Sequence, residues 1–329
     1  MYKIFNRRQI TVAINLYPPK GPWGGAGFFV QQVENGLKQR GIRVQYHLRG
    51  KVNLILLIDP REDLEKKAFG MEEIKRYRAA HPDVRLLHRI NECDARQNSS
   101  FMDRLLEEAN QEADHTVFIS SWLRDHHSAL WYDIRRPHSV IYNGADPCLF
   151  NPLGKQYYSS DRPLRLVTHH WSDNAMKGFV EYKLIDEFIH QGLLKDVEFW
   201  VIGRWPQSIQ WKAAKTFPPV TGKKLANLLR QCDLYVTASR WEPCGMHHVE
   251  GVQCGLPLLY HEDGGGIVEA GQEYGIGFRD DLVLAIEKMK GSYNDYLSRV
   301  LYNMPCGDRM QLDYIQLIQT MICSPSCRD

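Results

Sequence analysis

The sequence has no hydrophobic run long enough to cross a bilayer, no Walker A element, no G-x-G-x-x-G fingerprint and no H-E-x-x-H helix. These absences count against a membrane span, a P-loop NTPase, a dinucleotide-dependent oxidoreductase and a zinc hydrolase. The formal net charge is only +2 over 329 residues, which gives no electrostatic case for nucleic-acid binding. The apolar run near the N-terminus is broken by Asn15 and stopped by Pro18-Pro19, too short for a signal peptide. Eight cysteines are scattered without a framework, as buried thiols in a reducing cytoplasm would be. Cys323 and Cys327 form a C-x3-C tail with no second pair, so a zinc site is not expected.

What is present is a soluble-protein composition, 43% hydrophobic and 24% charged, in a chain long enough for two domains. Apolar runs of strand length fall at Thr11–Leu16, Val52–Ile58, Val84–Leu87, Val117–Ser120 and, more weakly, Val140–Tyr142. Between them lie segments of helical period, such as Phe29–Arg40 with Phe29, Val33 and Leu37 on one face. The pattern restarts after a Pro- and Gly-containing linker at residues 151–162. Strands follow at Leu164–Thr168, Glu198–Ile202, Asp233–Thr237 and Leu256–Tyr260. Two doubly wound α/β units in tandem, each with its own core, are expected, with ligands at the carboxyl ends of the strands. The boundaries fall at residues 1–155 and 156–304, and a last helical segment, about 305–329, is expected to pack back on the first unit.

Three strand-to-helix loops carry candidate chemistry. "YPPKGPWGGAGFF" places Gly24, Gly25 and Gly27 where a helix begins and where backbone N–H groups could meet an anion; a plain tight turn is the competing reading. "HHWSDNAMKGF" offers Lys177 as a point charge for a phosphate, against the ordinary reading of a surface lysine. "SRWEPCGMHHVEG" sets Glu242 in the outgoing loop of a strand and Glu250 about two turns into the next helix. Carboxylates accept paired hydrogen bonds and so suit the vicinal hydroxyls of a sugar or a ribose. The adjacent pairs His169-His170 and His247-His248 diverge in regular structure and make poor metal ligands.

Taken in order, these pieces resemble the retaining glycosyltransferases of family 4, with their Glu-x7-Glu motif and GT-B fold of two Rossmann-like domains. "VFISSWL…VIYNGADPCLFNP", "MKGF", "WVIGRWP", "ANLLRQCDLYVTAS" and "GLPLL…GGGIVEAG" extend the likeness over most of the chain. The resemblance implies a nucleotide-sugar donor, UDP- or GDP-linked, a glycan, lipid or other hydroxyl acceptor, and no metal or other cofactor. It implies that Gly24 and Gly25 approach the diphosphate, Lys177 binds a phosphate, Val220 reads the base through its backbone, and Glu250 takes the ribose. Glu242 would hold the transferred sugar, with the N–H groups of Gly245 and Met246 near the phosphates. His88 could line the sugar site; Asn91, Glu92 and Asp94 compete for that place, and a buried structural histidine is the plain alternative. The family's arginine five or six residues before the lysine is missing, Trp171 and Ser172 standing there, and His170 or Arg204 could compensate. Two other classes stay open beside the enzyme: a catalytically silent sugar-nucleotide or glycan binder, and a dinucleotide-dependent oxidoreductase, which also uses tandem Rossmann-like units but against which the missing fingerprint counts. The expected setting is cytoplasmic, with no nucleic-acid partner; contact with a membrane surface is compatible but supported by no residue pattern.

Overall fold

The computed structural model describes residues 9–18, 25–62 and 65–323. Short apolar strands alternate with helices, and all strands of each sheet run parallel, because every crossover passes through a helix or a long loop. The first sheet holds β1 (Thr11–Ile14), β2 (Arg43–Gln45), β3 (Leu54–Leu57), β4 (Arg85–Ile90), β5 (His115–Phe118) and β6 (His138–Val140), in the order β2-β1-β3-β4-β5-β6. The second holds β7 (Leu164–His170), β8 (Val197–Gly203), β9 (Lys215–Phe217), β10 (Leu234–Thr237), β11 (Leu258–His261) and β12 (Gly275–Phe278), in the order β12-β11-β10-β7-β8-β9. The direction of winding reverses between β1 and β3 in one sheet and between β7 and β10 in the other. Those are the positions where open α/β sheets leave a crevice.

Three edge-side strands, β2, β9 and β12, carry no apolar run and are invisible to a hydrophobicity reading: β9 is "KTF" and β12 is "GIGF". Pairing with an already formed neighbour makes them strands. Glu250 is the fifth residue of helix Met246–Gln253, little more than one turn from its start, rather than two.

The first sheet has an apolar cluster on each face and the second has one of its own, but the cores are not wholly separate. A fourth cluster joins Ile90, Phe118, Leu123 and Phe150 of the first half to Cys244, Val249, Val252 and Ile267 of the second. Polar contacts reinforce it. Asn143 Nδ2 donates to Cys244 O at 2.7 Å, and the backbone N–H of Trp122, in the first turn of helix Ser121–Leu130, donates to Glu269 Oε1 at 2.5 Å. The helix Gly307–Cys323 crosses back and packs on helix Gly25–Gln39, with Tyr314 edge-on to Phe29 at 4.7 Å. No helix among the described residues is long and apolar enough to cross a membrane.

Candidate active site

The loops leaving β7 and β10 lock together at the second crevice. Residues Ala175–Lys177 form a single 3-10 turn, capped by Asn174 Oδ1 accepting from Met176 N at 2.8 Å. Gly178 ends it with φ +77°, and a Cβ there would lie 2.2 Å from Ala238 O, so only glycine lets the loops approach. Arg240 N then donates to Met176 O at 2.8 Å. The next residue, Trp241, sits at φ +53°, a conformation a bulky side chain rarely adopts. Its N–H is held by Asp263 O, while Glu242 pairs with Gly265 and accepts from Gly266 N at 2.9 Å. The triple-glycine turn at 264–266 therefore fixes the backbone of Glu242 from behind.

The Glu242 carboxylate is buried and doubly paired. Lys177 Nζ donates to its Oε2 at 2.7 Å, and Arg96 Nε stands 3.0 Å from the same oxygen. Burial alone would push this carboxyl up; the charges of Lys177 and Arg96 overcome it and hold the group down at about 2. Burial lowers Lys177, partly offset by Glu242. Arg96 comes from the other half of the molecule, on the short helix Asp94–Gln97 after β4.

Two helix starts face each other beside this cluster. Helix Gly25–Gln39 begins so close to helix Met246–Gln253 that a Cβ on Gly25 would lie 2.5 Å from Met246 Cγ. Gly245 precedes the second helix in extended conformation and offers no side-chain cap, leaving first-turn N–H groups to another acceptor. Gly25, Gly27, Arg89, Glu242, Gly245 and Met246 line part of a cavity of about 270 Å³ between the sheets. A larger cavity, about 580 Å³, shares Asn143 and Cys244 with it but is not lined by Glu242; Lys177 lines neither cavity and meets the smaller one through its pairing with Glu242.

Of the other sequence candidates, Glu250 Oε2 meets His169 Nε2 at 2.9 Å, and His169 Nδ1 meets Tyr235 OH at 3.0 Å. Val220 is half-buried just before helix Gly222–Arg230. Arg204 is exposed, donates to Trp171 O at 2.9 Å and lines a different depression with Ser172 and Asp173. It does not reach the Lys177 cluster. His170 lies close enough to feel the charges of Lys177 and Arg96, but its Nε2 is engaged by Thr168 and Tyr182, and burial together with those charges drives its pKa well down, so it adds no cation. Gly24 lies outside the described residues.

His88 is fully buried, with Nδ1 at 3.0 Å from Asn110 Nδ2, and burial lowers its pKa to about 3. It does not line the cavity; strand alternation turns Arg89 there instead. Asn91 and Glu92 line the cavity, whereas Asp94 is spent on its own turn, accepting from Ser99 Oγ and Met102 N. Arg89, Arg96 and Asn143 are the site residues that sequence reasoning missed. "HRINECDAR" does place two arginines around the end of a strand, but a strand buried on both faces does not reveal which parity faces the cleft. Asp103, His126 and His127 could together hold a metal ion. Both His127 nitrogens are already engaged, by Glu92 O and Trp131 Nε1.

Residues 211–289 match the family described as glycosyl transferases group 1. The structure superposes on sucrose-phosphate synthase from Thermosynechococcus elongatus with TM-score 0.69 at 14% identity, covering 97% of this chain and 100% of that one. It superposes on HepE from Anabaena, solved with UDP, with TM-score 0.70 at 14% identity, covering 95% and 100%. This is a GT-B fold. WaaG, a glycosyltransferase of lipopolysaccharide biosynthesis, shares it at TM-score 0.63 and 14% identity over 93% of this chain and 99% of that one. A search of curated proteins by sequence finds no match. The GT-B chain described here thus resembles the glycosyltransferases in its fold throughout and in its sequence over part of the second unit.

Proposed function

We propose that this chain is a retaining glycosyltransferase of the family 4 kind, moving a sugar from a UDP- or GDP-sugar to a hydroxyl of a glycan or lipid. The observation that carries the reading is the ionised Glu242 beside Lys177, set between two facing helix starts. A carboxylate held near 2 stays an acceptor at neutral pH and can grip sugar hydroxyls. The N–H groups at Gly25, Gly245 and Met246, with Lys177, then stabilise the charge that develops on the leaving diphosphate. We assign Glu250, whose carboxylate meets His169, to the ribose and Val220 to the base. The sugar and acceptor hydroxyl react on one face, with the departing phosphate taking the acceptor proton. The rate gain comes from positioning and electrostatics, and we assign no metal to the step. The free cysteines suit a cytoplasmic setting.

A panel of UDP- and GDP-sugars, followed by release of the free diphosphate, tests the reading. One donor should turn over slowly without acceptor, and at the same rate with EDTA. Loss of turnover with EDTA and its return with manganese would contradict the metal-free step. Binding of a donor with no turnover under any condition would identify a silent binder.

A further inference from the structure

The sequence lacks an arginine before Lys177, so the phosphate end of the site has one lysine where two cations would be expected. The structure supplies a second from an unexpected direction. Arg96 and Lys177 approach the same oxygen of Glu242, at 3.0 and 2.7 Å, from opposite halves of the molecule. Arg96 is 9% exposed, and its Nη1 is buried with no hydrogen-bond partner. Its backbone is pinned: Asp94 accepts from Ser99 Oγ and Met102 N, and Asn98 ends the short helix at φ +52°. The Arg96 guanidinium faces Glu242 and, more weakly, Glu92, and its unpartnered Nη1 leaves a donor that a second anion would satisfy. Of the candidates within the second unit, Arg204 is held elsewhere by Trp171 O, and His170, near Lys177 but with its pKa driven well down by burial, supplies no second charge.

We propose that Arg96 is a donor-phosphate residue supplied across the cleft, pairing with the sugar-bearing phosphate of a nucleoside diphosphate when Glu242 turns to the sugar. The inference rests on the glycosyltransferase reading above. It makes the cation pair Arg96–Lys177 complete only when both units contribute, so the diphosphate itself bridges them. The Arg96–Glu242 pair also spans the same two walls. Arginine suits the task because its planar fork can bind two phosphate oxygens side by side.

The test is calorimetry with UDP, GDP, UMP and GMP on the full chain and on Arg96→Gln and Arg96→Lys. Arg96→Gln should weaken the preferred diphosphate about ten- to a hundredfold. It should leave the matching monophosphate unchanged, because that ligand lacks the outer phosphate. Arg96→Lys should fall between, keeping charge but not the fork. If Arg96 merely positions Glu242, diphosphate affinity stays at the wild-type value while donor turnover drops, and the proposal is overturned. Wild-type protein that binds neither diphosphate overturns the functional reading as well, so the two failures are distinct. Should Arg96→Gln give no cooperative melt, Arg96→Lys decides: a loss confined to the diphosphate supports the assignment, and no loss overturns it.

Discussion

Glu242 keeps its charge in a buried place because Lys177 and Arg96 reach it from two domains. Its geometry depends on neighbours that cannot grow. A Cβ on Gly245 would lie 2.4 Å from the His247 ring and 2.9 Å from Glu242 Cγ. Gly245 has φ −67°, so Gly245→Ala introduces crowding and no backbone strain. We expect a stability loss of about 1–3 kcal/mol with donor turnover reduced at least about tenfold, since the displaced carboxylate misplaces the sugar. Urea unfolding and a donor-hydrolysis rate check both; wild-type turnover in a stable Gly245→Ala protein would contradict the expectation. At this scale the sequence showed residue types in loops after strands, which is how Glu242 and Lys177 were found. It could not show parity: His88 and Arg89 are adjacent in a strand buried on both sides, and only the folded sheet turns Arg89 to the cleft. Nor could it show that Arg96, 146 positions before Glu242 in sequence, would meet it in space.

At the scale of elements, the two facing helix starts must be held by what packs behind them. Helix Gly25–Gln39 leans on the returning helix Gly307–Cys323 through Phe29, Val33 and Leu37 against Met310, Tyr314, Ile315 and Ile318. Tyr314 is fully buried. Truncation by Tyr314→Ala should cost about 3–5 kcal/mol, as large aromatic truncations in cores do, and should loosen the start of the helix that faces the diphosphate. Chemical denaturation measures the first effect. A loss under about 1 kcal/mol would mean the last helix contributes little to this core. Long periodic helices and central strands were legible because they bury a stripe or a face. The strands β2, β9 and β12 were not, since their pairing comes from neighbours rather than from their own side chains.

For the whole molecule, buried histidines set the response to acid. His88 and His248 are lowered by burial to about 3 and about 4, and His170 and His247 lie well below the ordinary value for the same reason. The unfolded chain takes up protons near pH 6.5, whereas the folded one does not until much lower. Their stabilising contribution is therefore complete above pH 6.5 and is lost as pH falls through that value toward the folded pKa values. Each contributes a slope of about 1.4 kcal/mol per pH unit in that window. The urea midpoint should fall clearly between pH 7 and pH 5; a constant midpoint would contradict the burial of these rings as neutral groups. The tandem architecture was legible from the restarting strand pattern, while the shared cluster between the halves was not, because its members lie far apart in sequence.

The central claim is a division of labour, with Glu242 for the transferred sugar and Glu250 for the ribose. Calorimetry with bare UDP and GDP on Glu242→Ala and Glu250→Ala, beside donor turnover, tests it most directly. Glu250→Ala should weaken the diphosphate about ten- to a hundredfold, because a charged acceptor of the ribose is lost. Glu242→Ala should bind it at least as well as wild type, since Lys177 and Arg96 are released to the phosphates, yet turn over almost no donor. Equal losses of diphosphate affinity in the two variants would contradict the account.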